Sequence, residues 1–381
     1  MVALAYAARW AGLSPTMFAL GRYSDVLDVD CCRLQRVATP MRPVLASSAV
    51  LHRPWLLPAL VAFLRDRPGP HVIHTHGGWC NIAAQASRQL ESAGVQASVV
   101  ATFFTSVEHG EAAKYHGRMI RASLRLRLTH AFKLAWVRLV AVPNERRGYL
   151  AARRVTVNYE SVRRLIVDAY GPREGIEQLP YAAATAFEEG RPLAGACPSF
   201  DIVAVSRHSA RKGLDVLIHA LAGLRDEGVE FRACLVGEGT LLAEHRRLVR
   251  SLGLEERVQL PGHVPDVMPY LRECRVFVLP STEEGSGSVA VLEALQAGAA
   301  VVSSGVDGIP EDLTHEVDAL LVAPASALAL RDAIRRLLED DSLRARLGAA
   351  GRSLYERRFA PDVAARALGE FYASLGLSPA A

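Results

Sequence analysis

The sequence predicts an α/β protein with two doubly wound, parallel-sheet domains. Short apolar runs of the kind found in buried parallel strands alternate with amphipathic helical patterns, clearly in the second half of the chain and less regularly in the first. With 381 residues, the chain is too long for one ordinary hydrophobic core, so two domains are expected. Apolar residues make up 50% and charged residues 22%, which is typical of a globular protein rather than a disordered one.

In the second half, strands and helices alternate regularly and the loops are short. An apolar run at 201–205 predicts the first strand. The next helix has one apolar face, because its apolar residues repeat at spacings of three and four, namely Leu214, Leu217, Ile218, Leu221 and Leu224. Further strands are predicted at 231–236, 258–260, 276–279, 300–303 and 319–322, and further helices at 241–252, 267–273, 289–296, 328–339, 342–358 and 361–375. Ligands of such sheets bind at the carboxyl ends of the strands.

The first half has the same organisation with less regular spacing. Strands are predicted at 16–20, 71–75, 98–103, 155–157 and 176–179, and helices at 54–65, 79–92 and about 111–136. The pattern at 2–11 is typical of the helix that follows the first strand of a doubly wound sheet, so we expect this domain to lack its first strand. The Gly- and Pro-containing stretch 182–199 predicts a linker between a first domain at 1–190 and a second at 200–360.

Composition and patterning argue against several classes of protein. No apolar run is long enough to span a membrane and no signal peptide pattern opens the sequence, so we expect a cytoplasmic protein. The six cysteines lack the paired spacing of zinc ligands, and a disulfide framework is not expected in a chain of this size. Asp28-Val29-Asp30 matches a short acidic metal-binding motif, but its setting favours a loop or a strand end.

Positive charge is concentrated between residues 114 and 154. Eleven basic side chains lie there and only Glu145 opposes them. They are Lys114, Arg118, Arg121, Arg125, Arg127, Lys133, Arg138, Arg146, Arg147, Arg153 and Arg154. One interpretation is a solvated helix face, and another is contact with an anionic acceptor or with the inner face of a membrane as a peripheral protein. Nucleic acid is not expected as a partner, because no recognition motif accompanies the charge.

The loop at 206–213 connects a predicted strand to a predicted helix. Backbone N–H groups at a helix N-terminus favour an anion, and Arg207 and Lys212 reach the same place from opposite ends of the loop. Fixed cations there would stabilise a diphosphate as it leaves. The alternative is a pair of solvated surface cations.

The loop at 280–288 has the same setting and contains Gly285 and Gly287. Glycine lets a backbone approach a ligand closely, and a carboxylate such as Glu283 or Glu284 accepts hydrogen bonds from sugar hydroxyls. Glu293 follows in the next helix, where a carboxylate suits the two hydroxyls of a ribose. The alternative is a helix N-terminus whose acidic residues complement the helix dipole.

Five motifs occur in a fixed order from residue 201 to residue 359. They are Arg207-x4-Lys212-Gly213, Val236-Gly237-Glu238-Gly239, Leu260-Pro261-Gly262-His263-Val264, Glu284-Gly285-Ser286-Gly287 and Glu293-Ala294-Leu295-Gln296-Ala297-Gly298. In this order and spacing they resemble the retaining glycosyltransferases of family 4. The resemblance implies the GT-B fold, in which two Rossmann-like domains face each other across a cleft. It also implies that the helix at 361–375 packs back onto the first, acceptor-side domain.

The resemblance implies a role for each matched position in a nucleotide-sugar donor site. The positions are Arg207 and Lys212 for the diphosphate, Glu284 and the amides of Gly285, Ser286, Gly287 and Ser288 for the transferred sugar, Glu293 for the ribose, and Gly237, Gly239, His263 and Val264 for the base. Glu283 competes with Glu284 for its role. No metal or other cofactor is implied, because helix dipoles and basic side chains neutralise the diphosphate in this fold.

The sequence departs from the family pattern at several positions. Eight residues separate Glu284 from Glu293, where the family usually has seven. In the first domain, His76 and Gly77 resemble the acceptor side of the cleft, but Phe104 stands where a His usually faces the donor sugar. His109 is close enough in sequence to substitute, and the family's first Gly-rich loop is missing.

These features predict a retaining glycosyltransferase that moves a hexose-like sugar from a nucleoside-diphosphate sugar to an acceptor, in polysaccharide, glycolipid or glycoconjugate synthesis. Two alternatives within the fold are a truncated or inactive nucleotide-sugar binder and a sugar-nucleotide epimerase. A dinucleotide-dependent dehydrogenase is disfavoured, because no GxGxxG motif follows a strand.

Overall fold

The computed structural model describes residues 5, 7–9, 11–21, 25–29, 32–38, 49–67, 69–112, 124–182 and 199–376. These residues form two compact units. The amino-terminal unit contains the described residues up to 182 together with 361–376, and the carboxyl-terminal unit contains 199–360. Each unit has a parallel sheet with helices, which confirms the predicted fold class.

A small sheet of three strands opens the amino-terminal unit. It consists of β1 (Thr16–Gly21), β2 (Asp25–Val29) and β3 (Cys32–Ala38) in the order β1-β3-β2. β1 runs parallel to β3, whereas β2 runs antiparallel to it. Of these strands, only β1 was predicted from the sequence, because β2 and β3 mix polar with apolar residues and contain no continuous apolar run. Asp28 lies in β2, and Asp30 falls outside the described residues.

The main sheet of this unit has four parallel strands. They are β4 (His71–His76), β5 (Ala97–Phe103), β6 (Arg154–Val157) and β7 (Ile176–Gln178), in that order across the sheet. All four coincide with predicted strands. β5 is buried along nearly its whole length, as expected for a central parallel strand.

Helices cover this sheet. They are α1 (Ala49–Arg65), α2 (Cys80–Glu91), α3 (Val107–Ala112), α4 (Leu124–Trp136), α5 (Val142–Ala151) and α6 (Glu160–Tyr170), and a π-helical turn at Val137–Ala141 joins α4 to α5. α5 and α6 were not predicted. The predicted helical region at 111–136 is divided between α3 and α4, and residues 113–123 lie outside the described residues. No helix among the described residues is long and apolar enough to cross a membrane.

The carboxyl-terminal unit is built on one six-stranded parallel sheet. Its strands are β8 (Ile202–Val205), β9 (Ala233–Val236), β10 (Val258–Gly262), β11 (Val276–Leu279), β12 (Ala300–Ser304) and β13 (Leu320–Val322), arranged β10-β9-β8-β11-β12-β13. Every adjacent pair is parallel. The order therefore runs outward in both directions from the central pair β8 and β11.

The helices of this unit pack on both faces of the sheet, which explains why its strands are apolar at nearly every position. They are α7 (Leu214–Asp226), α8 (Leu242–Ser251), α9 (Met268–Glu273), α10 (Val289–Ala297), α11 (Ile309–Asp312), α12 (Ala327–Glu339) and α13 (Asp341–Arg358). Only the short α11 was not predicted. The last helix, α14 (Pro361–Ala373), belongs to the amino-terminal unit.

Candidate active site

In the carboxyl-terminal unit, the strand order changes direction at one point of the sheet, between β8 and β11. β8 and β11 are neighbours, with Ile202 beside Val276, but the chain leaves them towards opposite ends of the sheet. The loop 206–213 follows β8 and the loop 280–288 follows β11, so the two loops meet where their strands diverge. Open α/β sheets bind ligands at this kind of position.

The two loops are joined by main-chain hydrogen bonds and by close packing. The amides of Thr282 and Glu283 donate to the Arg211 carbonyl oxygen at 2.9 and 3.2 Å. Gly213 has φ +57°, and a Cβ at this position would collide with the Pro280 carbonyl. Glycine is therefore the residue that allows the loops to approach this closely.

A buried ion pair joins the two loops at two side chains that were assigned to the donor site from the sequence. Lys212 Nζ lies 2.6 Å from Glu284 Oε1 and 2.5 Å from Oε2, and the Ser281 hydroxyl donates to Oε1 at 2.5 Å. The side chains of Lys212 and Glu284 are only 13% and 4% exposed. Burial lowers the pKa of the Lys212 ammonium, Glu284 opposes this effect, and Arg211 and Arg207 add to it. Lys212 and Glu284, predicted for diphosphate and sugar, are thus brought into direct contact.

The main chain of Glu284 is held as firmly as its side chain. Arg211 donates from Nη1 to the Glu284 carbonyl at 3.0 Å. The amides of Glu284 and Gly285 both donate to Asp307 Oδ2 at 2.6 Å. Arg211, Ser281 and Asp307 were not singled out in the sequence. Ser281 and Arg211 adjoin predicted residues, whereas Asp307 is distant in sequence, although it follows the end of the predicted strand at 300–303.

The contacts in the second loop and in α10 distinguish the three predicted carboxylates. Glu284 points to Lys212, whereas Glu283 is half-buried and its amide is bound to the first loop. Glu293 lies in α10 with its side chain buried, and α10 begins after Ser288, which is also buried. The Gly285 amide, one of those predicted to bind the sugar, donates a hydrogen bond to Asp307. Ser286 and Gly287 are half-buried in the same loop.

The remaining predicted donor-site residues lie along the first loop and at the ends of β9 and β10. Gly237 and Gly239 pack against the main chain of Ser206 and His208, where a Cβ would collide. The Gly237 amide also donates to Gly262 O at 2.8 Å. These glycines let the turn after β9 run beside the first loop. Three further predicted residues are exposed or half-exposed there, namely Arg207, His263 and Val264.

Buried histidines anchor the first loop to the unit. His208 is fully buried and its Nδ1 lies 2.8 Å from Nδ1 of His245 in α8. Burial lowers the pKa of His208 to about 4, and His245 adds to this effect. The pair is therefore neutral near pH 7, so that one ring donates a hydrogen bond to the other.

In the amino-terminal unit, the predicted residues follow the carboxyl end of β4. The ring of His76 stacks on that of Phe104 with centroids 5.2 Å apart, and burial lowers the pKa of His76 to about 3. Gly77 has φ +39°, and a Cβ there would collide with a carboxylate oxygen of Glu145. His109 lies in α3, where its amide donates to the Ser106 hydroxyl at 3.2 Å. His76 is thus a neutral ring at physiological pH.

A polar chain that the sequence analysis missed crosses the same sheet. His74 Nδ1 lies 2.5 Å from the hydroxyl of Tyr372 in α14, and its Nε2 lies 2.5 Å from Thr102 Oγ1. Thr102 in turn lies 2.6 Å from Thr156. Because both nitrogens of His74 are engaged, this residue ties α14 to β4, β5 and β6.

Sequence relatives identify the family. The family described as "Glycosyl transferases group 1" matches residues 198–354. A GDP-mannose-dependent alpha-(1-6)-phosphatidylinositol monomannoside mannosyltransferase of Mycobacterium tuberculosis is 30% identical over 273 residues, which cover 67% of this chain and 70% of the relative. The chain belongs to the group 1 glycosyltransferases. A second relative is the amylovoran biosynthesis glycosyltransferase AmsK of Erwinia amylovora, 34% identical over 44% of this chain, and the chain spans only 43% of that relative.

Solved structures show that this group 1 glycosyltransferase has the GT-B fold. Sucrose-phosphate synthase from Thermosynechococcus elongatus matches with a TM-score of 0.70 at 24% identity, covering 98% of this chain and 92% of that one. HepE from Anabaena, solved in complex with UDP and glucose, matches with a TM-score of 0.66 at 21% identity, covering 90% and 86%. At this level of identity the comparison concerns the fold.

Proposed function

We propose that this group 1 glycosyltransferase is a retaining enzyme of family 4 that transfers a hexose-like sugar from a nucleoside-diphosphate sugar. The observation that carries the proposal is the Lys212–Glu284 pair, fixed where the loops after β8 and β11 meet. A cation for a diphosphate and a carboxylate for sugar hydroxyls stand side by side at the point where open α/β sheets bind ligands.

In the proposed donor complex, Lys212 and Glu284 each give up the other as a partner and bind the donor instead. In the structure, Lys212 and Glu284 neutralise each other. A bound diphosphate would take over Lys212, with Arg207 as the second cation, and Glu284 would then accept hydrogen bonds from the sugar. The N-terminus of α10, with the amides of Gly287 and Ser288, would add its dipole to the neutralisation of the phosphates. These groups suffice for the charge of the diphosphate, so we propose no metal.

The order of the loops also suggests which residues bind the ribose and the base of the donor. Glu293 would bind the ribose, and His263 and Val264 at the end of β10 would lie near the base. By the resemblance to family 4, we propose that the leaving diphosphate assists the incoming hydroxyl on the same face of the sugar, which retains its configuration. Polysaccharide or glycolipid synthesis fits the relatives, whose names refer to amylovoran and phosphatidylinositol mannoside.

We propose that the amino-terminal unit binds the acceptor near the end of β4. His76, Gly77 and His109 are the residues assigned to this side. Since burial holds the pKa of His76 at about 3, His76 would contribute a neutral ring and not a cation.

Nucleotide binding is the first test of the donor site. Melting temperatures are measured with UDP, GDP, UDP-glucose and GDP-mannose, and then with other nucleoside diphosphates and their sugars. A ligand at a hundred times its Kd adds about 2.7 kcal/mol of stability, so a true donor raises the melting temperature clearly. If no nucleotide does so, the proposal is wrong. Binding without transfer or hydrolysis of the sugar would favour the non-catalytic alternative.

Two substitutions test the site itself. We expect Lys212→Ala and Glu293→Ala each to lower turnover by about tenfold or more with the fold retained, because both remove groups that face the donor. Glu230→Ala is the control, since Glu230 is 83% exposed and pairs with Arg257 at the surface. Full activity in both site variants would refute the assignment.

We also propose peripheral contact with an anionic membrane surface. On α4 and the π-helical turn after it, Leu128, Phe132 and Leu139 are 63%, 75% and 77% exposed. Exposed apolar side chains on a strongly basic segment are the features of a helix that lies in a lipid interface. Glu145, the acidic residue within this segment, is buried, whereas Lys133 and Arg138 pair with Glu111 and Glu108 of α3.

A further inference from the structure

Asp307 lies in the loop after β12 and reaches back to the loop after β11. Its φ of +49° is in the left-handed region that Gly, Asn and Asp adopt most readily. One carboxylate oxygen, Oδ2, accepts the amides of both Glu284 and Gly285 at 2.6 Å. Hydrogen bonds from two amides to one charged oxygen are short and strong.

A third bond runs in the opposite direction between the same loops. The amide of Gly308, the next residue, donates to Ser286 O at 3.0 Å. The loop after β12 thus holds three successive residues of the loop after β11, at Glu284, Gly285 and Ser286. These residues are the segment that carries the proposed sugar-binding carboxylate.

With these bonds, every polar atom of Glu284 has a partner. Asp307 holds its amide, Arg211 holds its carbonyl, and Lys212 and Ser281 hold its carboxylate. When a diphosphate takes Lys212 away, the side chain loses its strongest partner. The main-chain contacts then decide whether the Glu284 carboxylate stays where the sugar is bound.

We infer that Asp307 is a positioning residue for recognition of the sugar: it fixes the main chain of Glu284 and Gly285, so that the Glu284 carboxylate is already in place for the transferred sugar. The inference rests on the proposed function. Asp307 touches neither Lys212 nor Arg207 in the described structure, so its effect concerns the sugar and not the diphosphate.

The conformation of Asp307 dictates which variants test this role. Asp307→Gly removes the carboxylate and adopts φ +49° without strain. Asp307→Asn keeps one acceptor oxygen and also tolerates this conformation, so it serves as the conservative variant. Alanine is unsuitable, because it would add backbone strain to the loss of the carboxylate.

The decisive measurement compares a nucleoside diphosphate with its sugar. Affinities for UDP and UDP-glucose, or for GDP and GDP-mannose, are measured in each variant together with kcat/KM for transfer. In Asp307→Gly we expect the affinity for the diphosphate to stay within about twofold, whereas kcat/KM and the affinity for the nucleotide sugar fall about tenfold or more. Asp307→Asn should recover part of both losses.

Hydrogen exchange supplies an independent readout that needs no ligand. The amides of Glu284 and Gly285 should exchange faster in Asp307→Gly than in the wild type, because their acceptor is gone. Equal kcat/KM in the wild type and Asp307→Gly would overturn the inference, as would an equal loss of affinity for diphosphate and nucleotide sugar. If the wild type binds no nucleotide at all, the proposed function fails first and this inference falls with it.

Discussion

At the scale of single residues, Gly213 controls how closely the two loops of the site approach each other. A Cβ would meet the Pro280 carbonyl, which is main chain and has no rotamer with which to move away. We expect Gly213→Ala to destabilise the carboxyl-terminal unit by about 3 kcal/mol, from left-handed backbone strain plus overpacking. Thermal unfolding followed by circular dichroism measures this loss.

Gly228 is the matched control for this substitution. It lies in the same unit with φ +77°, and nothing lies within 4 Å of the position where its Cβ would be. Gly228→Ala should therefore cost only the backbone strain, about 1–2 kcal/mol. If both variants lose the same stability, the contact with Pro280 does not limit the approach of the loops.

The sequence predicted acidic residues for the candidate site but did not choose between Glu283 and Glu284. In the structure, Glu284 differs from Glu283 in its contacts with Lys212, Arg211 and Asp307, which are 72, 73 and 23 residues away from it in sequence. Local pattern contains no information about such contacts. Asp307 was missed for a related reason: nothing in its local sequence shows that its carboxylate reaches the loop after β11.

At the scale of elements, prediction succeeded where burial determines the sequence. In the carboxyl-terminal unit the strands lie within one or two residues of their predicted positions, because a strand covered on both faces must be apolar throughout. β2 and β3 have the mixed composition that also suits loops. α5 was missed because its buried face contains the polar residues Asn144 and Glu145. α6 has a regular apolar face, with Val162, Ile166 and Tyr170 buried at spacings of four residues, so the sequence does contain the signal for this helix.

The exposed face of α4 leads to a prediction about lipid binding. We expect the protein to sediment with vesicles that contain phosphatidylglycerol and to bind much less to vesicles of phosphatidylcholine alone. The double variant Phe132→Ser, Leu139→Ser should lose about tenfold or more in binding to the anionic vesicles, because each change removes apolar area from the lipid interface.

An exposed leucine elsewhere controls for a general loss of apolar surface. Leu328 is 59% exposed and lies in the carboxyl-terminal unit, so Leu328→Ser should leave vesicle binding unchanged. Wild-type protein that ignores anionic vesicles would contradict the proposed contact. A double variant that changes only the oligomeric state would assign this face to a second copy of the chain.

At the scale of the whole molecule, the two units can be monitored separately. All four tryptophans, Trp10, Trp55, Trp79 and Trp136, lie in the first 136 residues of the sequence. Tryptophan fluorescence therefore reports unfolding of the amino-terminal unit, even where the two units unfold at different denaturant concentrations. Fluorescence can therefore measure how a titrating group in that unit changes its stability with pH.

Glu145 is such a group. Its carboxylate is buried, accepts the Val107 amide at 2.8 Å and also accepts the Tyr170 hydroxyl. Burial raises the pKa of Glu145 from 4.5 to about 7, although both hydrogen bonds oppose the shift. The folded unit therefore binds more protons than the unfolded chain between these two values, and its stability falls as the pH rises from about 4.5 to about 7.

Glu145→Gln should remove this pH dependence, because the amide oxygen still accepts both hydrogen bonds but carries no charge. We expect urea unfolding, followed by tryptophan fluorescence at pH 5 and pH 7.5, to show a loss for the wild type that exceeds that of the variant by a few kcal/mol, on the order of one to three. His74 and His76, whose pKa values burial lowers to about 4 and about 3, raise stability with pH instead. Since both proteins contain them, their effect cancels in the comparison, and parallel pH profiles would show that Glu145 is ionised in the folded unit.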